Sequence, residues 1–215
     1  MAQGALARQL LEQETQAWRG MAPAQYDHII CGLLDQASAA PPSAEAAEAL
    51  LALASATLRR NGPILTESRA RCAEHLLALV GSVSEPALQL RIRLLLLLAW
   101  LQLGTVVARA PQSVSMTPDL PPGVMLPNGA DPEAISDPGL REQAREMAVR
   151  HSEAVERWNA RQRALGHLHR LATLLRAARP VFADDEDASK ELAAAMSLAP
   201  GLPSALRQQL EDEAK

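Results

Sequence analysis

Apolar residues recur along most of the chain at the three-and-four spacing of helices, and prolines and glycines cut that pattern into about eight segments. The first covers residues 3–19 and stops before Gly20. The second covers 23–39, sets Tyr26, Ile29, Ile30, Leu33, Leu34 and Ala37 on one face, and stops at Pro41-Pro42. Ser43 is placed to cap a third, which ends at Asn61-Gly62-Pro63, and Thr66 to cap a fourth that ends near Gly81. Ser84-Glu85-Pro86 combines a cap, an acid and a first-turn proline, and opens the fifth.

That fifth segment holds the run RIRLLLLLAWLQLGTVVAR, residues 91–109. Fifteen residues, Leu94 to Ala108, separate its charges, which as a helix is about 22 Å against a bilayer core of roughly 30 Å. No membrane span is therefore expected. A helix apolar on all sides is expected to be surrounded by other helices, with Arg91, Arg93 and Arg109 marking where it meets water.

Residues 111–138 contain seven prolines and three turn signals, so they cannot form a continuous helix. Val114, Met116, Leu120, Val124, Met125 and Leu126 make the segment too apolar for a free linker, and it is expected to lie on the helical core as a strap. Beyond Pro138 runs the longest uninterrupted pattern. Leu140, Ala144, Met147, His151, Ala154, Trp158, Arg161, Leu165, Leu168, Ala172 and Leu175 follow at alternating steps of four and three. As one helix this is about 60 Å long; the alternative is a break near Gly166. Its outer face pairs acid before base four residues apart: Asp137 with Arg141, Glu146 with Arg150, Glu153 with Arg157. Two short helices, 185–198 and 204 to the end, complete the chain.

Composition sharpens the fold class. Apolar residues make up 48% and aromatics only 2%, so Leu, Ala and Val build the core and helices are favoured throughout. The expectation is all-α: a multi-helix bundle or short α-solenoid (1–110), a proline-rich strap (111–138), and a long amphipathic helix with two short ones (139–215), joined in one unit. EALLALA (48–54) and EHLLALV (74–80) align at an offset of 26, from a helical repeat or from shared Leu/Ala composition. A net charge of −4 argues against a surface made wholly for nucleic acid. Two cysteines suit a reducing compartment, and charges in the first eighteen residues oppose a signal peptide, so the cytoplasm is the default location.

DPEAISDPGLREQ (131–143) and ERWNARQRAL (156–165) resemble a segment of uncharacterised bacterial proteins over residues 121–175. Ala144 and Trp158 stand where that pattern more usually has tyrosine. The resemblance implies a strap followed by a long helix as a recurring unit, and implies no activity, cofactor or site.

Three constellations carry candidate chemistry. His28, Cys31, Cys72 and His75 form two i, i+3 pairs that together would supply a Cys2His2 zinc set, although His28 and Cys31 lie opposite the apolar face of their helix. Arg157, Arg161, Arg163, Arg170, Arg176 and Arg179 form an acid-free stretch that could grip phosphates, with the acidic run 184–187 available to neutralise it. The stripe Leu140, Met147, His151, Trp158, Leu165, Leu168 and Leu175 is longer than a domain of this size needs, and could dock on a partner protein or a second copy. No nucleophile motif, phosphate loop, protease signature or cofactor motif occurs. The leading expectation is a non-enzymatic interaction scaffold or complex subunit. A nucleic-acid-associated accessory protein, and an enzyme whose site is assembled from distant residues, are the alternatives.

Overall fold

Ser43 does cap the third helix: its hydroxyl accepts the backbone N–H of Ala46 at 3.1 Å. In the computed structural model eight α-helices follow one another among the described residues: α1 (Ala5–Gly20), α2 (Pro23–Ala39), α3 (Ala44–Arg59), α4 (Glu67–Val80), α5 (Pro86–Arg109), α6 (Pro138–Ala178), α7 (Glu186–Ser197) and α8 (Ser204–Glu213). The structure describes residues 4–40, 43–60, 65–80, 82–83, 85–124, 131–178 and 186–215, and among these there is no strand. The stops at Pro41-Pro42, Asn61-Gly62-Pro63 and Gly81, the Ser84 cap, and Met125, Leu126, Arg179, Asp184 and Asp185 lie outside the described residues.

The protein is all-α, and its helices stack in two layers. From α1 to α6 each helix packs on the next, as α7 does on α8, while α1 with α3, α3 with α5, and α5 with α7 lie side by side in one layer and α2, α4 and α6 in the other. Side-chain contacts give the directions. Asp27 meets Ser68 and Asp35 meets His75, so α2 and α4 run parallel. Arg91 meets Glu48 and Gln102 meets the Leu58 carbonyl, so α3 and α5 run parallel too. These lateral contacts join residues 40 to 46 apart, counting Arg60 to Glu14. Helices stacked in pairs at such a spacing form a two-layer multi-helix bundle. The sequence offset of 26 is not the unit, because it matches α3 to α4, which lie in opposite layers.

α6 runs unbroken for 41 residues, with no break at Gly166. Its C-terminal half buries Ala164, Leu168, Leu171, Ala172 and Leu175 against the layers. Before Ala160 it buries only Ala144. There the segment before it folds back: Ile135 is buried, the Pro132–Ala134 turn packs on α6, Arg145 pairs with Glu133 at 2.7 Å, and Arg141 donates to the Ile135 carbonyl. Of the expected i, i+4 pairs, Glu146–Arg150 forms at 3.4 Å. Asp137 instead caps α6, accepting from the N–H groups of Gly139 and Leu140, and Arg157 donates to the Glu153 carbonyl.

Two departures from the sequence pattern bear on function. Thr66 is not the side chain that caps α4. Asp27, on α2, reaches across and accepts from the N–H groups of Glu67 and Ser68 and from the Ser68 hydroxyl, which leaves the buried Thr66 hydroxyl without a partner. A carboxylate beats a hydroxyl here because it satisfies several donors and meets the positive helix end.

Nor is α5 surrounded. Ile92, Leu96, Ala99, Trp100, Leu103 and Val107 are buried, yet Leu90, Leu94 and Leu98 are 54%, 57% and 37% exposed. A helix within one layer of a two-layer stack has neighbours beside and beneath it and an outward face with none. On that outward face an apolar helix leaves leucine in water. The helix is 24 residues long, longer than its uncharged run, and reaches a mean hydropathy of 1.7; 39% of that window is buried in the protein.

Candidate functional site

The α2–α4–α6 layer carries an open groove of about 620 Å³, lined by Asp27, His28, Cys31, Asp35, Arg71 and Arg163 among others. Its charges are paired by the parallel register of the three helices. His75 meets Asp35 at 2.7 Å, His167 meets Glu67 at 3.1 Å, and Arg71 lies between Asp35 and Glu74. The same register settles the arginines on α6. Arg170 pairs with Glu74 at 3.1 Å, Arg163 approaches Glu67 at 4.0 Å, and Arg176 pairs with Glu213 of α8 at 2.8 Å. Carboxylates of α4 and α8 thus pair with three of these arginines, while Asp184 and Asp185 of the acidic run lie outside the described residues. Arg161 is half-buried with its Nε shielded, and Arg157 stays on the exposed face.

The zinc set is not brought together. His28 and Cys31 line the groove, but Cys72 is fully buried and the His75 ring is held by Asp35. Among the described residues no three His, Cys, Asp or Glu side chains group so as to hold a metal. Burial, reinforced by the charge of Asp27, pushes the Cys31 thiol up to about 12, and burial pushes Cys72 up as well. Neutral thiols are poor nucleophiles and poor metal ligands.

The long stripe divides in two. Leu168 and Leu175 are consumed by the protein's own core and Leu165 packs against it, while Leu140, Met147, His151 and Trp158 stay half-buried. The first half of α6 remains available as a surface, and the second does not.

A buried polar network escaped the sequence reading altogether. Glu14, 1% exposed on α1, accepts from the Tyr26 hydroxyl at 2.8 Å and from Arg60 Nε and Nη2 at 2.8 and 3.0 Å. Arg60 also lies 5.2 Å from the Trp18 ring, which meets Tyr26 edge to face. Burial alone would raise the Glu14 carboxyl, but the donors from Arg60 and Tyr26 outweigh it and hold the group below its ordinary 4.5. The same burial, with the Glu14 charge, pushes the Tyr26 hydroxyl up. The only sequence signal was a lone acid on the inner face of α1. The network ties α1, α2 and the end of α3 together.

The chain matches no family model, no curated protein and no solved structure.

One surface has no internal explanation. Leu90, Leu94, Leu97 and Leu101 follow one another on α5 at steps of four, three and four, with Leu98 beside them. Leu97 and Leu101 rest partly on the core, while Leu90, Leu94 and Leu98 face out. The helix contains no acid, and its Arg91 pairs with Glu48 of α3 at 2.9 Å. Single exposed leucines are ordinary; here three of them share one helix face.

Proposed function

We propose that the protein is a non-enzymatic interaction scaffold, a short α-solenoid whose α5 face docks an amphipathic helix of a partner protein. The observation that supports this reading is the exposed row Leu90, Leu94 and Leu98 on a helix whose opposite face is buried. Helix-in-groove recognition uses apolar anchors at i, i+3, i+4 and i+7, the spacing this face offers. The helix carries no acid of its own, which favours a partner helix whose apolar stripe is bordered by Asp or Glu.

A photo-crosslinking residue at position 94, introduced in the native host, tests this reading. The expected product joins α5 to an apolar, acid-bordered helix of another polypeptide, and it disappears in a Leu90→Asp/Leu98→Asp background that keeps the parent's helicity. Crosslinks confined to lipid or to a second copy of the chain, or none, overturn it.

A further inference from the structure

The two cysteines form no zinc set, yet they share one level of one helix seam. α2 and α4 run parallel, and two contacts fix their register: Asp27 meets Ser68, forty-one positions on, and Asp35 meets His75, forty positions on. Cys31 lies four residues after Asp27 and four before Asp35. Cys72 lies four after Ser68 and three before His75. The contacts on either side therefore bring Cys31 and Cys72 opposite each other. Electrostatics agrees, since the Asp27 charge acts on both thiols and the Cys31 charge acts on Cys72.

Helices in contact have axes about 8–10 Å apart and Cα radii of about 2.3 Å, so residues facing across the seam have Cα atoms roughly 4–6 Å apart. A disulfide spans that distance. Both thiols are free, and they differ in access. Cys72 is fully buried in the core, whereas Cys31 is half-buried and lines the open groove of about 620 Å³.

We infer that Cys31 and Cys72 are a redox pair, which a small disulfide entering the groove converts to an intramolecular cross-link between α2 and α4. The pair is independent of the α5 face, and neither reading depends on the other. Cys31 loses its proton to solvent and attacks one sulfur of the small disulfide, whose S–S bond breaks and releases one half as a thiolate that solvent protonates. Cys72 then attacks the Cys31 sulfur of the mixed disulfide, and its proton ends on the second half as that half leaves. Two protein thiols are oxidised, and one small disulfide is reduced to two thiols. Burial keeps both protein thiols protonated at neutral pH, so the reaction is slow there and quickens as the pH rises.

Oxidised glutathione added to the full chain tests the pair, with products read by mass spectrometry of the intact protein and of a non-reduced digest, and the fold followed by circular dichroism. The expected parent product is a monomer lighter by two hydrogens, with unchanged helicity and the Cys31 and Cys72 peptides joined. It is expected to form roughly tenfold faster or more at pH 9 than at pH 7. Cys72→Ala is expected to stop at a glutathione adduct on Cys31, and Cys31→Ser to take up no glutathione while folded. Should Cys72→Ala fail to fold, the joined peptides of the parent decide. A lasting glutathione adduct on Cys31 of the folded parent, dimers joined through Cys31, cross-linking only in urea, or no reaction at pH 9 overturns the pair.

Discussion

The carboxylate of Asp27, on α2, accepts the backbone N–H of Ser68 at 2.9 Å, so the first turn of α4 is held by a residue forty-one positions earlier in the chain. That contact fixes the parallel register on which the ion pairs of the α2–α4–α6 layer depend. Asp27→Ala removes the cap and leaves buried donors unsatisfied, at an expected cost of about 1–3 kcal/mol. Urea unfolding measures it. A change below roughly 0.5 kcal/mol would show that Thr66 takes over the cap.

Glu14 makes stability depend on acid. Its pKa is lower folded than unfolded, so as pH falls the unfolded chain takes up the proton first and the folded state loses ground. The contribution is complete above about pH 4.5 and is lost as pH drops through the lower folded value. Glu14→Gln is expected to flatten the acid limb of the stability curve. Arg60→Met leaves the carboxylate buried without its cation and is expected to cost about 3 kcal/mol at neutral pH. Chemical denaturation from pH 3 to 7 checks both, and an acid limb as steep in Glu14→Gln as in the parent would contradict the first.

Leu94 and Leu96 lie two residues apart on α5 and are expected to behave oppositely. Leu96, 1% exposed, faces the core, so Leu96→Asp buries a charge and is expected to cost more than about 4 kcal/mol. Leu94, 57% exposed, faces outward, and Leu94→Asp is expected to change stability by less than about 0.5 kcal/mol. Circular dichroism melts of the two variants decide. Equal destabilisation would mean that the outward face is already covered.

The arginines of α6 are expected to bind polyanions weakly while α4 holds them. Glu67→Gln with Glu74→Gln releases Arg163 and Arg170, so the double variant is expected to elute from heparin at higher salt than the parent. These pairs are partly exposed, and the stability change is expected to stay within about 1 kcal/mol each. Unchanged elution would show that the pairing does not limit the arginines.

Local signals marked much of this fold correctly. The spacing of Leu and Ala made it all-α, the Ser43 hydroxyl caps α3, and the four-three alternation beyond Pro138 is a single helix, because each depends on residues within a turn or two of one another. The candidate sites were read less well, since they depend on which helices become neighbours. Leu168 and Leu140 belong to one stripe in sequence, but only Leu168 has α4 and α5 to lie against.

What the sequence determined by itself was the set of helices and the apolar face of each, because periodicity and capping are local properties of the chain. Only the tertiary structure decided the rest. It paired Arg163 and Arg170 with α4, and it set Asp35 on His75. It also turned Leu94 to water in the middle of a run that looked uniformly buried. Apolar residues on every side of a helix state what could be buried. How many neighbours the helix has, three sides here and not four, states what is.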